Sequence, residues 1–572
     1  MNGGIDRELV AAFNAAVPEI PIEDSRLAEL PVELRQFKAA AEALRRRAEA
    51  DPDAAFDGEP AAFAATLSAL AAAPPAPPAK APVAGGPPPA AGDDPAALSL
   101  VEAANRIVEG SLTSVAVVQA ALTRIRAADP QLHAFVALRE EAALEAAAKA
   151  DAALAAGCPP GPLHGVPLAH KDMFYDPEVA VGCGSRIRQD FRAPARATVL
   201  QRLADAGAVT VGALAMVEFA MGPHGYNGHL PVCRNPWDPD CIPCGSSSGS
   251  GVAVAARMVA GALGSDTGGS IRCPAAASGV TGILPTNGRV SRAGAMPMSI
   301  SLDAVGPLAR SARDCARLLS VIAGPDPADP TSAARPVPDY ESLLPAAPEG
   351  ALDGLRIGVP EGYFDAGIDP QVGDGLAAAQ EVLQRLGARI VPVRIPDLIR
   401  DVAEIHPLLM KAEGAANHQA WMRRYPDLYS DEVRRRLQAG FFVPASDYLQ
   451  ALKMRGPLAR AFVAEVFDAC DLLQAPVLAR PVPTIEECLT GTGPAYLEMV
   501  VALTGNTKVV NYLGLPAIAV PCGFSAPRPG RPRGTPLAFQ LIGRPFDEAG
   551  LLRAAHAYQL ATDWHIRDPL AG

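Results

Sequence analysis

The chain has 572 residues, 49% of them hydrophobic and 20% charged, and a net charge of −12. That length predicts one large domain with at least one accessory piece, and the acidic balance, with no basic cluster beyond Arg45–Arg47, argues against nucleic acid as a partner. Alanine supplies much of the apolar fraction, no run is long enough to span a bilayer, and the opening MNGGIDRELVAAF lacks the order of a secretory signal, so a cytoplasmic protein without membrane attachment is expected.

Near the N-terminus, Leu34, Phe37, Ala41 and Leu44 recur at helical spacing after Pro31, and a shorter helix is predicted over Ala61–Leu70. Residues 1–73 read as a small all-helical accessory domain, expected to pair two copies into a homodimer or to pack on the main body. The run PPAPPAKAPVAGGPPPAAGDDP has almost nothing to bury, so 74–96 read as a linker and 97–572 as the catalytic domain. Thr113 or Ser114 then caps a helix with Val115, Val118, Leu122 and Ile125 on one face, ended by Asp129-Pro130. Helices over Glu140–Ala155, Arg196–Ala206 and Val252–Val259 alternate with strands at Ala208–Val211 and near Ala262–Ser265. Further on, Leu355–Pro360, Val372–Leu386 and Arg389–Val393 make a β–α–β unit; Leu515–Pro521 and Pro536–Ile542 are strands, and Glu548–Leu560 is a helix. The sum is an α/β protein with a large mixed central sheet.

The chemistry lies in three segments. In Ser265-Asp266-Thr267-Gly268-Gly269-Ser270-Ile271-Arg272, two glycines before a serine let successive N–H groups point into one space. Such a nest can hold the oxyanion of a tetrahedral intermediate, worth about 3 kcal/mol per donor, with the Ser270 hydroxyl placed to attack. The loop Gly245–Gly251, GSSSGSG, opens an apolar helix but lacks the Gly-Lys-Ser/Thr ending of a phosphate loop and the GxGxxG of a dinucleotide site. It serves instead to fix serine hydroxyls that relay a proton. In GVPLAHKDMF, Lys171 sits among apolar residues; burial would lower its pKa until the neutral amine can accept a proton. The plain alternative is a surface Lys171–Asp172 pair. Cys241 and Cys244 form a CxxC with no second ligand pair at zinc spacing, so no metal is expected.

Together, GPLHGVPLAHKDMF, CGSSSGSG and GSDTGGSIRCP resemble the amidase signature family, as do the C-terminal runs VVNYLGLPAIAVPCGF and LAFQLIGRPFDEAGLLRAAHAYQ. The spacings of 75 residues from Lys171 to Ser246 and 24 from Ser246 to Ser270 match the family pattern. The resemblance covers about residues 97–565. It implies the amidase signature fold and a Ser–Ser–Lys triad: Ser270 as acylated nucleophile, Ser246 as bridge after a cis peptide bond, Lys171 as base. It implies an oxyanion hole from the N–H groups of Thr267, Gly268, Gly269 and Ser270, with Asp266 and Arg272 bracing the loop and no cofactor. Two departures stand in the serine loop, where Cys244 and Ser248 occupy usual glycine positions. The implied activity is hydrolysis of carboxylic amides, with esters, anilides and carbamates in reach; the alternative is the glutaminase subunit of a tRNA-dependent amidotransferase. Partners are then small amide, ester or carbamate substrates, without nucleic acid or membrane. Pocket candidates are Met173, Phe174, Met216, Phe219 and Tyr226, and the aromatics Trp421, Tyr425, Tyr429, Phe441, Phe442 and Tyr448 in or just beyond a helical insertion at Ile405–Pro444.

Overall fold

The structure, a computed structural model, describes residues 14–15, 17–18, 20, 22–23, 30–51, 59–71, 94–490, 493–529 and 533–571. The predicted linker falls almost wholly outside the described residues. Eleven strands form one mixed sheet: β1 (Phe135–Leu138), β2 (Pro167–Lys171), β3 (Val209–Leu214), β4 (Gly261–Asp266), β5 (Thr281–Leu284), β6 (Ala304–Ala309), β7 (Arg356–Glu361), β8 (Arg389–Arg394), β9 (Leu472–Pro476), β10 (Ala517–Phe524) and β11 (Pro536–Ile542). Their order is β1-β3-β2-β4-β6-β5-β10-β11-β9-β7-β8. The strand β2 runs parallel to both β3 and β4, and β7 to β8 and β9; the other pairs are antiparallel. Every residue of β2, β4, β5, β6, β9 and β11 is buried, because helices cover both faces of the sheet, and these strands accordingly carry short continuous apolar runs.

Most predicted elements stand within a few residues of their expected places. Three helices differ for physical reasons. The helix after Thr113 runs Ser114–Leu132, through Pro130, and stops at His133 in the left-handed region, φ 51°; Asp129 Oδ1 accepts the following N–H groups of Ala134 and Phe135. Its buried face uses Val117 and Ala121, while Val115 is exposed. The helix after the serine loop begins at Ser248 and ends at Ala255, with Arg257 at φ 57° closing it. The N-terminal helix Leu30–Ala50 buries Ala40 and Ala43 beside Leu34, Phe37 and Leu44; Ala41 lies at the edge of that face.

That helix, and the next one at Phe63–Leu70, pack on two long helices at Leu398–Arg424 and Ala445–Phe467. Leu34, Phe37, Leu44, Phe63 and Leu67 share one apolar cluster with Val402, Ile405, Leu409, Leu458 and Phe462. Arg46 and Arg47 donate to the two oxygens of Asp401 at 2.7 and 2.6 Å. Among the described residues no helix is long and apolar enough to cross a membrane.

Candidate active site

Because β2 and β4 are parallel neighbours, they deliver their C-terminal ends to one edge of the sheet, the usual place for ligands in such folds. Lys171 is the last residue of β2, and the loop from Thr267 to Ser270 follows β4. Gly264 keeps that edge tight: a Cβ there would stand 2.9 Å from Ser247 Oγ, so its absence lets the serine loop lie against the strand.

The serine loop is pinned by backbone bonds. Gly245 N–H donates to Pro223 O (2.7 Å), Val217 N–H to Ser246 O (3.2 Å) and Gly249 N–H to Ala215 O (2.9 Å). The Gly245–Ser246 peptide is cis, and Cys244 takes φ 57°, a left-handed conformation that favours glycine. Lys171 Nζ lies 2.7 Å from Ser246 Oγ and 2.8 Å from Ser265 Oγ. Lys171 and Ser246 are fully buried, whereas Ser270 is half-buried. No carboxylate pairs with Lys171 among the described residues. Burial outweighs the attraction of Asp303 and Asp266 and brings its pKa down to about 7. The alternative Lys171–Asp172 surface pair is absent. Asp172 is buried too and accepts the N–H groups of Gly182 and Gly184 (3.2 and 3.3 Å), with burial pushing its pKa up to about 7.

Ser270 sits beside the relay: Ser247 N–H donates to its carbonyl at 3.3 Å. Its hydroxyl makes no hydrogen bond to Ser246 among the described residues, so of the expected relay the Lys171–Ser246 contact is formed and the Ser246–Ser270 contact is not. The glycine loop is fixed at its carbonyls. His406 Nε2–H donates to Thr267 O (2.9 Å), Thr507 Oγ1–H to Gly268 O (2.7 Å) and Cys273 N–H to Gly269 O (2.7 Å). In a trans peptide the N–H points opposite to the C=O. The second of these bonds shows the effect, since Gly269 N–H points at Asp266 Oδ1, 2.6 Å away. Gly269 is therefore a correction to the expected donor set, because its N–H is already held by a carboxylate. Asp266 also accepts from Ile271 N–H, Arg272 and Asn511, and Arg272 reaches Gln540, Thr507 O and Asn511. This fully buried network keeps Asp266 ionised below the ordinary carboxylate range despite its burial; the Arg272 charge and its hydrogen bonds outweigh the desolvation.

Four contributors were not singled out by sequence reading. Ser265 stood inside the quoted octapeptide without a role. His406, Thr507 and Asp303, which accepts from Thr267 Oγ1 at 2.6 Å, reach the loop from distant elements that carry no local signature. The pocket candidates divide. Met173 lines a cavity of about 210 Å³ together with Ser265, Met296, Asp303 and Ala304. Phe174 is fully buried and lies edge-on to His170. Met216 is also buried, and Tyr226 is half-buried. Phe219 meets His418, Trp421 and Tyr429 at centroid distances of 4.4, 5.7 and 5.7 Å, so part of the expected aromatic group does converge. Cys241 and Cys244 are buried thiols; Cys241 donates to Asp238 and its pKa is pushed up to about 12 by burial.

The family model "Amidase" matches residues 116–552. A glutamyl-tRNA(Gln) amidotransferase subunit from Azotobacter vinelandii is 40% identical over 496 residues, covering 82% of this chain and 99% of that protein. Among solved structures, one described as a vestigial protein complex revealing the evolutionary origins of an s-triazine catabolic enzyme is 34% identical with a TM-score of 0.74, covering 81% of this chain and 98% of that one. The native peptide amidase of Stenotrophomonas maltophilia is 33% identical with a TM-score of 0.68, covering 81% and 96%. The corresponding glutamyl-tRNA(Gln) amidotransferase subunit of Thermotoga maritima is 31% identical with a TM-score of 0.65, covering 81% and 94%. These relatives overturn the expectation of small-molecule partners without nucleic acid: that expectation rested on overall charge, and relatives up to 40% identical over nearly their whole length are named subunits of a tRNA amidotransferase. With the matched span, the length of the shared alignment and the edge-of-sheet geometry in agreement, the chain belongs to the amidase family.

Proposed function

We propose that the chain hydrolyses carboxylic amides through Ser270, Ser246 and Lys171 and that its substrate amide is of the glutamine type, with ammonia leaving to a partner as in an amidotransferase. The single observation that carries the chemistry is Lys171, buried and within hydrogen-bonding distance of two hydroxyls with no ion-pair partner among the described residues. A lysine so placed is a neutral base above about pH 7. Ser246 donates its proton to Nζ and takes that of Ser270, whose Oγ bonds the amide carbon. The N–H groups of Thr267, Gly268 and Ser270 receive the oxyanion. The C–N bond then breaks, the relayed proton leaves on nitrogen, and water attacks the acyl-enzyme by the same route to release the acid. The 40% identity to amidotransferase subunits, over nearly their whole length, supports the glutaminase form.

A second reading is the same chemistry on free small amides, anilides or carbamates. It is favoured by the amidase and peptide amidase neighbours and by residues 1–115, which lie outside the matched family span. Ammonia release from glutamine, measured for the chain alone and with the partner subunits and glutamyl-tRNA(Gln) of a relative, separates the two. The first predicts stimulation by the partners; aryl-amide turnover without glutamine turnover selects the second. A fluorophosphonate label that attaches equally to wild type and Ser270→Ala would remove the nucleophile from both.

A further inference from the structure

The segment between Lys171 and β3 holds a buried guanidinium that forms no ion pair among the described residues, although its charge is felt at the buried Asp172. Arg188 is 6% exposed. Its Cζ lies 3.6 Å from the Phe191 ring centroid, 5.2 Å from that of Tyr175 and 5.7 Å from that of Trp421. Nε makes one long bond to Val181 O (3.5 Å), while Nη2 is buried without a partner, and no carboxylate pairs with Arg188 among the described residues. Cation–π contact is worth about 0.5–2 kcal/mol, less than the several kcal/mol of burying an unpaired charge. An anion in the site would restore the balance.

A second orphan faces the same ring. His418 is fully buried on the helix Leu398–Arg424, its ring centroid 5.5 Å from that of Trp421. Its Nδ1 lies 2.9 Å from the Tyr429 hydroxyl, and its Nε2 is buried without a partner. In the tautomer whose Nδ1 accepts from the phenol, Nε2 carries the ring proton and is a buried donor with no acceptor. The segment packed against His418 and Trp421 is strained: Phe219 and Ala220 take φ of 49° and 62°, a conformation that costs a non-glycine residue about 1–2 kcal/mol and gathers at ligand sites. That segment begins beside the relay, where Val217 N–H donates to Ser246 O.

We propose that Arg188 and His418 form a carboxylate-binding subsite, so that the amide hydrolysed at Ser270 carries a carboxylate away from its scissile bond. The inference rests on the hydrolase reading above and narrows its substrate class. Succinamate and butyramide, equal in length and differing in the carboxylate, test it in the full chain. Wild type favours succinamate, and Arg188→Leu lowers the succinamate-to-butyramide ratio of kcat/KM by about 10- to 100-fold, the loss of one charge-assisted hydrogen bond. Arg188→Lys, which keeps the charge, recovers part of the ratio, and His418→Asn lowers it from the other side. Succinate titrated into Ser270→Ala protein, followed by Trp421 fluorescence, binds in that background and not when Arg188→Leu is added. Equal ratios in wild type and Arg188→Leu, equal succinate binding in both backgrounds, or no succinate binding in either overturns the subsite. Failure to turn over either amide overturns the hydrolase reading, while the succinate titration still decides the subsite.

Discussion

Lys171 is legible in the sequence as a lone amine inside an apolar segment, and the structure adds what that segment cannot tell: it ends a buried strand, with two hydroxyl partners and no ion-paired acid among the described residues. Its pKa falls from 10.5 to about 7, so kcat/KM should rise with pH through about 7 and level off above it. The same shift sets a stability slope. Between about 7 and 10.5 the unfolded chain binds the extra proton, so this group's contribution is complete above 10.5 and is lost as pH falls towards 7. Urea midpoints at pH 7.5 and pH 10 should therefore differ less in Lys171→Met than in wild type. His406 makes the opposite case. It is fully neutral at working pH, its pKa held near 3 by burial, and it acts on the loop only through the Thr267 carbonyl. Because that peptide carries Gly268 N–H on its other side, His406→Leu should lower kcat by about 10- to 100-fold with little change in KM, and His406→Gln, which keeps a donor, should recover much of it. Nothing near position 406 announces this, since the partner lies 139 residues away in sequence.

At the level of elements, the strands and helices with clear period or capping residues were readable: Glu140–Ala155, Pro536–Ile542 and Glu548–Leu560 stand at their expected bounds. The short buried strands β5 and β9 were not, because a mostly apolar run of four or five residues fits a helix as well as a strand until its neighbours are known. The serine loop was recognised by composition, but its glycines have different jobs. Gly249 is helical, and a Cβ there would lie 2.3 Å from Ala134 O and 2.6 Å from Ala215 N, both backbone. Gly249→Ala should cost about 1–3 kcal/mol and misplace Ser246, read as a lower melting temperature together with lost activity. Gly373, in the helix Pro370–Arg385, meets nothing nearer than Ile368 Cδ1 at 3.7 Å. Gly373→Ala should raise stability by about 0.4–1 kcal/mol and leave activity alone.

For the molecule as a whole, we propose that residues 1–73 fold onto residues 97–572 and not apart from them. The two N-terminal helices share an apolar cluster with Leu398–Arg424 and Ala445–Phe467, the first of which carries His406 and His418. They then act as a brace of the main body, and a chain starting at Pro95 should melt earlier than the intact chain and lose more kcat than KM; equal melting and equal kinetics would show an independent appendage. A brace tied to its body by peptide bonds has a consequence for use. Two separate polypeptides in this arrangement would part on dilution, and their turnover per molecule would decline with protein concentration. Here the tether fixes the local concentration of one piece around the other, so specific activity should hold constant from micromolar to picomolar protein.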